Sequence, residues 1–364
     1  MAQGKQVRPN FTRLFSRLRA FNTQQRLAVC CFMSALVNGE RIAALIDQIA
    51  RARSACPRCA SRQFGRHGFA NGLQRYRCSA CGKTFNGLTG TPLARLRLKG
   101  KWLAYCDCLR DPACTVKSAA EKVQVHANTS FRWRHRFLHW VKFDRPVTPQ
   151  GITEADETFL LESEKGNRQG KQQSKQQSSQ QSNQQESDQD KGPKKDQESG
   201  QESQQENTPL GRAPRKRGGV GSKRGISRQL VNIVVARDRG GATIDFIAGR
   251  GALKADALHT HLLPKLQRDV LLVSDANGAY KKFAREAGID HQSIKLRQGV
   301  RVREAIHIQN VNAYHSRFKR WLHHFNGVAT RYLDNYLGWC WAIDLRRIGN
   351  AERFLAAALG HFSA

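Results

Sequence analysis

Apolar residues recur at helical spacing through the first fifty positions. Phe11, Leu14, Phe15 and Leu18 are followed by Leu27 through Leu36 and then by Ile42, Leu45, Ile46 and Ile49. This rhythm predicts two or three short helices. The pattern changes at Cys56: Gln63–His67, Gln74–Arg77 and Lys83–Phe85 alternate with a period of two, as short strands require. From Lys101 to Val141 the helical period returns. KWLAYCDCLR is amphipathic, Val116–Lys122 forms a second helix, and a third begins near Asn128 or Thr129 after a short polar turn. The third carries Phe131, Trp133, Phe137 and Leu138 among its apolar positions and Arg132, Arg134, His135 and Arg136 at positions read as exposed. This is the mixture a helix-turn-helix needs to hold its fold and offer cations to a DNA groove.

The second half reads differently. Strands are expected over Gly151–Leu160, Leu230–Arg237 and Ala242–Ala248, the last two joined by a turn at Asp238–Gly241. Then follow a helix (Ala255–Leu266), a strand (Val270–Asp275), a helix (Gly278–Ala287), a short strand (Gln292–Leu296) and three closing helices (His307–Phe325, Arg331–Ile343 and Ala351–Leu359). Three antiparallel strands followed by right-handed parallel additions make a mixed α/β sheet with flanking helices. Between the first two strands, residues 169–206 hold 14 glutamines among 38 and scarcely an aliphatic side chain. Such a stretch cannot repay the entropy of ordering, and strand-like sequence on both sides makes it an insertion within a domain. The basic run around Arg215, Lys216 and Arg217 closes it, either as a phosphate-backbone contact or as a solvated charge run.

Composition sharpens the picture. The formal net charge is +32 and the sequence pI about 10.5. Residues 162–225 carry 13 Lys/Arg against 9 Asp/Glu, so +28 of that charge lies outside the insertion. A polyanion, nucleic acid first, is the expected partner. No apolar run approaches the roughly 18 to 20 residues of a bilayer span, so no membrane is expected. LAVCCFMSALV, Leu27–Val37, has the length of a signal-peptide core but lies late, and reads equally well as the buried face of a helix. Of ten cysteines, Cys56, Cys59, Cys78 and Cys81 form two Cys-x2-Cys pairs 18 residues apart, the spacing of a structural four-thiolate Zn²⁺ site. Two disulfides are the alternative. His67 reads as a surface or base-contacting residue. The expected organisation is an N-terminal helical region (1–52), a zinc ribbon (53–90), a helix-turn-helix (98–145), an α/β domain (150–345) interrupted by the insertion (162–225), and a C-terminal helix (346–364).

Two aspartates end hydrophobic runs in the α/β region, Asp156 in GITEADETFL and Asp275 in DVLLVSDANGAY. Downstream, HIQNVNAYHSRFKR aligns Asn312, Ser316, Lys319 and Arg320 on one side of a helix. Strand-end carboxylates with a helix-borne oxygen and a lysine suit metal-assisted phosphoryl transfer. Read singly, either aspartate could cap a turn, Asn312 could be a helix N-cap, and Lys319 could be a solvated surface lysine. Asn310 and Glu304 compete with Asn312 as the third ligand.

Taken with the cysteine ribbon, ADETFL, SDANGAY and NVNAYHSRFKR resemble the ISXO-like insertion-sequence transposases, over about Cys56 to Leu345. The resemblance implies a ribonuclease-H-like catalytic domain in which Asp156 and Asp275 are the first two catalytic carboxylates. It aligns Asn312 with the third position, often glutamate, and Lys319 with the family's lysine. It implies a Mg²⁺ (or Mn²⁺) cofactor, and double-stranded DNA partners, both terminal inverted repeats and target. Two element ends must be joined, which implies a homo-oligomer on DNA, in a cytoplasmic, nucleoid-associated prokaryotic protein. Asparagine carries no charge, and so two alternatives stay open: a catalytically inactive DNA-binding repressor, and a structure-selective nuclease of the same fold.

Overall fold

The computed structural model describes residues 9–145, 148–165, 221, 224–294 and 305–362. Arg215, Lys216 and Arg217, most of the insertion, and Glu304 lie outside these. The chain forms two compact units, Met1–Asp144 with Arg346–Ala364, and Arg145–Leu345.

The first unit opens with α1 (Pro9–Arg19) and α2 (Thr23–Arg51). Asn22 separates them as a capping box, its side chain accepting from Gln25 N–H while Gln25 reaches back to the Asn22 N–H. The expected cluster of short helices is therefore one short helix and one of 29 residues. No proline interrupts Thr23–Arg51, and its single glycine, Gly39, is tolerated within the helix. The second half of α2 buries Ile42, Ile46 and Ile49. Gly87 packs so closely on this helix that a Cβ there would stand 2.1 Å from the Ile46 carbonyl oxygen. The first half corrects the reading of Leu27–Val37 as a buried face, because Leu27 is 61% and Phe32 63% exposed. By length and composition α2 could cross a membrane, with a mean hydropathy of 1.5 over an 18-residue window. Continuous helix through the polar flanks of the apolar run supplies the length that the run alone lacks.

Next comes a three-stranded antiparallel sheet, β1 (Phe64–Ala70), β2 (Leu73–Cys78) and β3 (Thr84–Phe85). Phe64, Tyr76 and Phe85 pack ring on ring at its centre, and the Tyr76 hydroxyl donates to Asp47 of α2 at 2.7 Å. His67 is exposed. Then follow α3 (Trp102–Arg110), α4 (Val116–Val123) and α5 (Ala127–Val141). Thr115 and Ser118 form a capping box at the start of α4, and Gln124 ends it in the left-handed region, φ 54°. Helix α5 thus starts three residues after α4. The closing helix α10 (Ala351–Ala358) packs on α3 and α5, with Arg110 donating to the carbonyls of Ile348 and Gly349.

The second unit is a mixed five-stranded sheet of β4 (Ile152–Leu161), β5 (Leu230–Asp238), β6 (Thr243–Arg250), β7 (Leu271–Asp275) and β8 (Asp290–Ile294). The spatial order is β6-β5-β4-β7-β8. The first three strands are antiparallel neighbours, and β7 and β8 add in parallel beside β4. Leu161 pairs with Leu230, so the chain between them leaves and re-enters the sheet at one point. One face buries Ala155, Val234, Ala236 and Leu272 under α6 (Ala255–His261) and α7 (Gly278–Ala287). The other buries Val231, Ile233 and Val235 under Val311, Tyr314 and Phe318 of α8 (Gln309–His323) and Leu333 and Leu337 of α9 (Thr330–Asp344). Each buried Val, Ile, Leu or Phe among them contributes about 1.5–3 kcal/mol. Helix α6 stops five residues short of the expected Leu266 because Pro264 turns the chain into a 3₁₀ turn at Leu263–Lys265.

Candidate active site

Strand alternation decides which β4 side chains meet which helix. Glu154, Asp156 and Leu160 share the α8 face, and Ala155 and Glu157 turn the other way. In the parallel pairing Ala155 stands beside Ser274, which brings Asp156 next to Asp275, the last residue of β7. Carboxyl ends of parallel strands are where open α/β sheets bind ligands. Because β7 ends there, nothing keeps the two faces of β4 apart beyond it. Ligand atoms of Asp156, Glu157 and Asp275 all come within 4.8 Å of one another. Asn277, the N-cap of α7, ties the group together: its Nδ2 donates to Glu157 at 2.6 Å and its backbone N–H to Asp275 at 3.1 Å.

This arrangement is electrostatically costly. Burial, then Glu157, then Asp275 push the Asp156 carboxyl up to about 7, with the Lys319 cation pulling the other way. Burial and Asp275 likewise raise Glu157. Crowded carboxylates of this kind fit a divalent cation, which would neutralise them and take their oxygens as ligands. One consequence is measurable. Between about pH 4 and pH 7 the folded chain holds a proton at Asp156 that the unfolded chain has lost, so stability falls as pH rises through that window. Without added magnesium or manganese, Asp156→Asn should be more stable than the parent at pH 7 by up to about 4 kcal/mol and equal to it near pH 4. Denaturant titrations across that range check this; identical pH dependence in both proteins would refute it.

Helix α8 is held by a buried anion. Glu154, fully buried, accepts from the backbone N–H groups of Asn310 (2.7 Å) and Val311 (3.1 Å), from Asn310 Nδ2 (3.0 Å) and from Arg239. It neutralises the positive end of the helix and engages the Asn310 side chain. The N-cap is Ile308, not Asn312, whose N–H bonds the Ile308 carbonyl inside the first turn. Asn312 is exposed, one turn before His315 and on the same flank as exposed Lys319. His315 is buried, with Nδ1 3.9 Å from Asp156 Oδ2. That distance alone would suggest an ion pair, but burial and the nearby Lys319 cation lower the imidazole to about 4 and leave it neutral. Strand alternation assigns Glu157 to the face away from Asp156, and His315 sits on the buried stripe of α8. Neither therefore stands out in the sequence.

In the first unit the four ribbon cysteines gather, with Cys56 and Cys81 sulfurs 3.9 Å apart and Cys59 and Cys78 3.6 Å apart. None of the ten cysteines is joined in a disulfide. Four thiolates about 2.3 Å from one tetrahedral ion would be about 3.8 Å apart, so the group fits zinc. Each pair sits on a tight knuckle, Ala60 N–H to Cys56 O and Gly82 N–H to Cys78 O. The backbone N–H of Cys81 helps draw the Cys78 thiol down to about 6, toward the thiolate a metal requires.

Helix α5 corrects one expectation. Only Arg132 of its four basic candidates is exposed. Arg134 is fully buried and donates to the Cys114 carbonyl at 2.8 Å, and Arg136 donates to the carbonyls of Pro92 and Ala94. His135 lies half-buried against the Phe131 ring, 4.6 Å between centroids, while Phe131 itself is 40% exposed. The reason is helical period: Arg134 stands four residues from Ser130 and Leu138 and three from Phe137, on the buried stripe.

Residues 200–339 match the ISXO2-like transposase domain family, a span that holds Asp275, Asn312 and Lys319 and begins after Asp156. Over 315 residues the chain is 23% identical to an uncharacterised protein in transposable element ISH50 of Halobacterium salinarum, covering 85% of this chain and 91% of the relative. A chain of the pre-cleavage Mos1 transpososome aligns at 12% identity and a TM-score of 0.25, over 71% of this chain and 79% of its own, a likeness too slight to bear on the fold. Residues 200–339 thus carry an ISXO2-like transposase domain, in a chain related along most of its length to a protein of a transposable element.

Proposed function

We propose that this protein is a DNA transposase that cuts its element's ends and joins them to target DNA at Asp156 and Asp275. The observation that carries the reading is the meeting of these carboxylates within 4.8 Å on adjoining parallel strands, with Asp275 inside the span that matches a transposase domain. Asp156, Asp275 and the Asn312 carbonyl would hold Mg²⁺ or Mn²⁺, with Glu157 a third carboxylate beside them. Bound there, the cation would activate the attacking hydroxyl and steady the leaving oxygen. Lys319 would neutralise a phosphate beside the scissile bond. Glu157 also answers the shortage of charge that asparagine at position 312 would leave. A ribonuclease-H-like core would follow from the resemblance, and the β6-β5-β4-β7-β8 order is compatible with it.

The ribbon, with Cys56, Cys59, Cys78 and Cys81 on Zn²⁺, and the α4–α5 pair would bind the terminal inverted repeats, with Arg132 toward DNA. A homo-oligomer assembled on two ends, in the nucleoid of the cytoplasm, completes the proposal. The charge of +28 outside the insertion supports a DNA partner and predicts affinity that falls steeply with salt. The deciding assay uses duplex DNA bearing the repeats that flank the gene, with Mg²⁺ or Mn²⁺, and reads both cleavage and strand transfer. Asn312→Ala and Glu157→Gln are each expected to slow both steps at least about tenfold. Binding without cleavage would favour the repressor, and cutting of branched or unrelated DNA without joining would favour the nuclease.

A further inference from the structure

His315 has no role in the site so far, and its surroundings give it no structural one. It occupies the sheet-facing stripe of α8, four residues after Val311 and three before Phe318, where an apolar side chain would pack. Only 7% of the residue is exposed, and its Nε2 is buried without a hydrogen-bond partner. Its Nδ1 faces Asp156 Oδ2 at 3.9 Å, too long for a hydrogen bond. Donor atoms about 2.1 Å from an octahedral cation lie about 3.0 Å apart when adjacent and about 4.2 Å apart when opposite, so the observed separation falls between the two, and a shift of about 1 Å or less brings both atoms onto one ion.

We infer that His315 supplies a nitrogen ligand to the divalent cation held by Asp156 and Asp275, and that this site therefore prefers Mn²⁺ to Mg²⁺. The inference rests on reading the acidic cluster as a cation site. Imidazole is a poor ligand for Mg²⁺, which takes oxygen donors, and a good one for transition metals. A nitrogen donor beside the carboxylates thus changes which cation is favoured without changing the charge of the site. Carried on α8, it would also couple cation binding to the helix that presents Asn312 and Lys319.

The test is pulsed electron paramagnetic resonance of the full-length, zinc-loaded protein titrated with Mn²⁺, without DNA. Wild type should bind one Mn²⁺ that is lost in Asp156→Asn and that shows hyperfine coupling to a directly bound nitrogen. His315→Gln should lose that coupling, bind Mn²⁺ at least about tenfold more weakly, and change little in Mg²⁺ affinity measured by competition. His315→Phe, which preserves packing in case glutamine disturbs the core, should behave the same way. Mn²⁺ bound in an Asp156-dependent manner but without nitrogen coupling, or with coupling that survives both His315 substitutions, overturns the inference and leaves the acidic cation site standing. Absence of any Asp156-dependent Mn²⁺ overturns both.

Discussion

Asp275→Ala is expected to lower both strand cleavage and strand transfer by about a thousandfold or more while DNA affinity stays within about twofold of wild type. The rate loss corresponds to about 4 kcal/mol of transition-state stabilisation, the scale at which a cation positioned against a phosphoryl group acts. The aspartate ends β7 directly beside Asp156, and no other carboxylate among the described residues joins the cluster except Glu157. Glu157 is a weak substitute because one of its oxygens already accepts from Asn277 at 2.6 Å. Asp156→Ala should match Asp275→Ala. Affinity should hold because the proposed DNA-binding elements, the cysteine ribbon and α5, belong to the other compact unit. Single-turnover rates on a repeat-bearing duplex, with affinity measured separately at fixed salt, make the comparison. Cleavage by Asp275→Ala at the wild-type rate would remove this cluster from the chemistry.

The strands and helices of the second unit were largely legible because each has a clean signal. Leu230–Ala236 is a largely apolar run, broken only by Asn232 and buried on both faces, and Gly278–Ala287 begins at an Asn N-cap and ends before a glycine with φ of 66°. What alternation and period could not convey is where one element stops relative to its neighbour. Asp156 and Asp275 each announce themselves as acids closing hydrophobic runs. Glu157 joins them only because β7 ends at Asp275 while β4 runs on to Leu161, a fact about two strands together. The capping of α8 by Glu154 is a contact across 156 residues that no local pattern encodes.

Helix α5 teaches the opposite lesson. Its helical period places Arg134 on the buried stripe with Ser130 and Leu138, although the charge of the side chain favours the surface. A guanidinium can occupy a buried stripe when carbonyl oxygens await it, as that of Cys114 does. The first half of α2 fails differently. Period identifies an apolar face but not whether anything covers it, and Phe32 and Met33 are exposed although their spacing is that of a core helix. The cysteine cluster needs no such context, since the spacing of two Cys-x2-Cys pairs by itself predicts that the four sulfurs gather.

The chemistry of that cluster leads to the largest expected change in stability. Stripping the metal from Cys56, Cys59, Cys78 and Cys81 with a high-affinity chelator is expected to unfold the β1–β3 ribbon outright, as is Cys78→Ser. The ribbon's own core consists of the Phe64, Tyr76 and Phe85 rings with buried Cys56 and Cys78 and Ala50 of α2. Three rings cannot offset the backbone entropy of ordering two knuckles and three short strands. A structural zinc ion contributes on the order of 10–16 kcal/mol to such a fold near pH 7. Sulfurs 3.6 and 3.9 Å apart leave room for the ion and are far beyond the disulfide bonding distance of about 2.05 Å. Acid should mimic the chelator, because every thiolate must be protonated as the ion leaves. Co²⁺ exchange provides the readout: tetrahedral four-thiolate absorption in wild type, weakened in Cys78→Ser, with proteolysis within 53–90 appearing when the ion is removed. The Arg145–Leu345 unit contains none of these ligands and should keep its resistance to proteolysis throughout. A ribbon that stays protected after complete metal removal would mean that the aromatic cluster and the Tyr76–Asp47 hydrogen bond to α2 suffice, and the zinc assignment would fall.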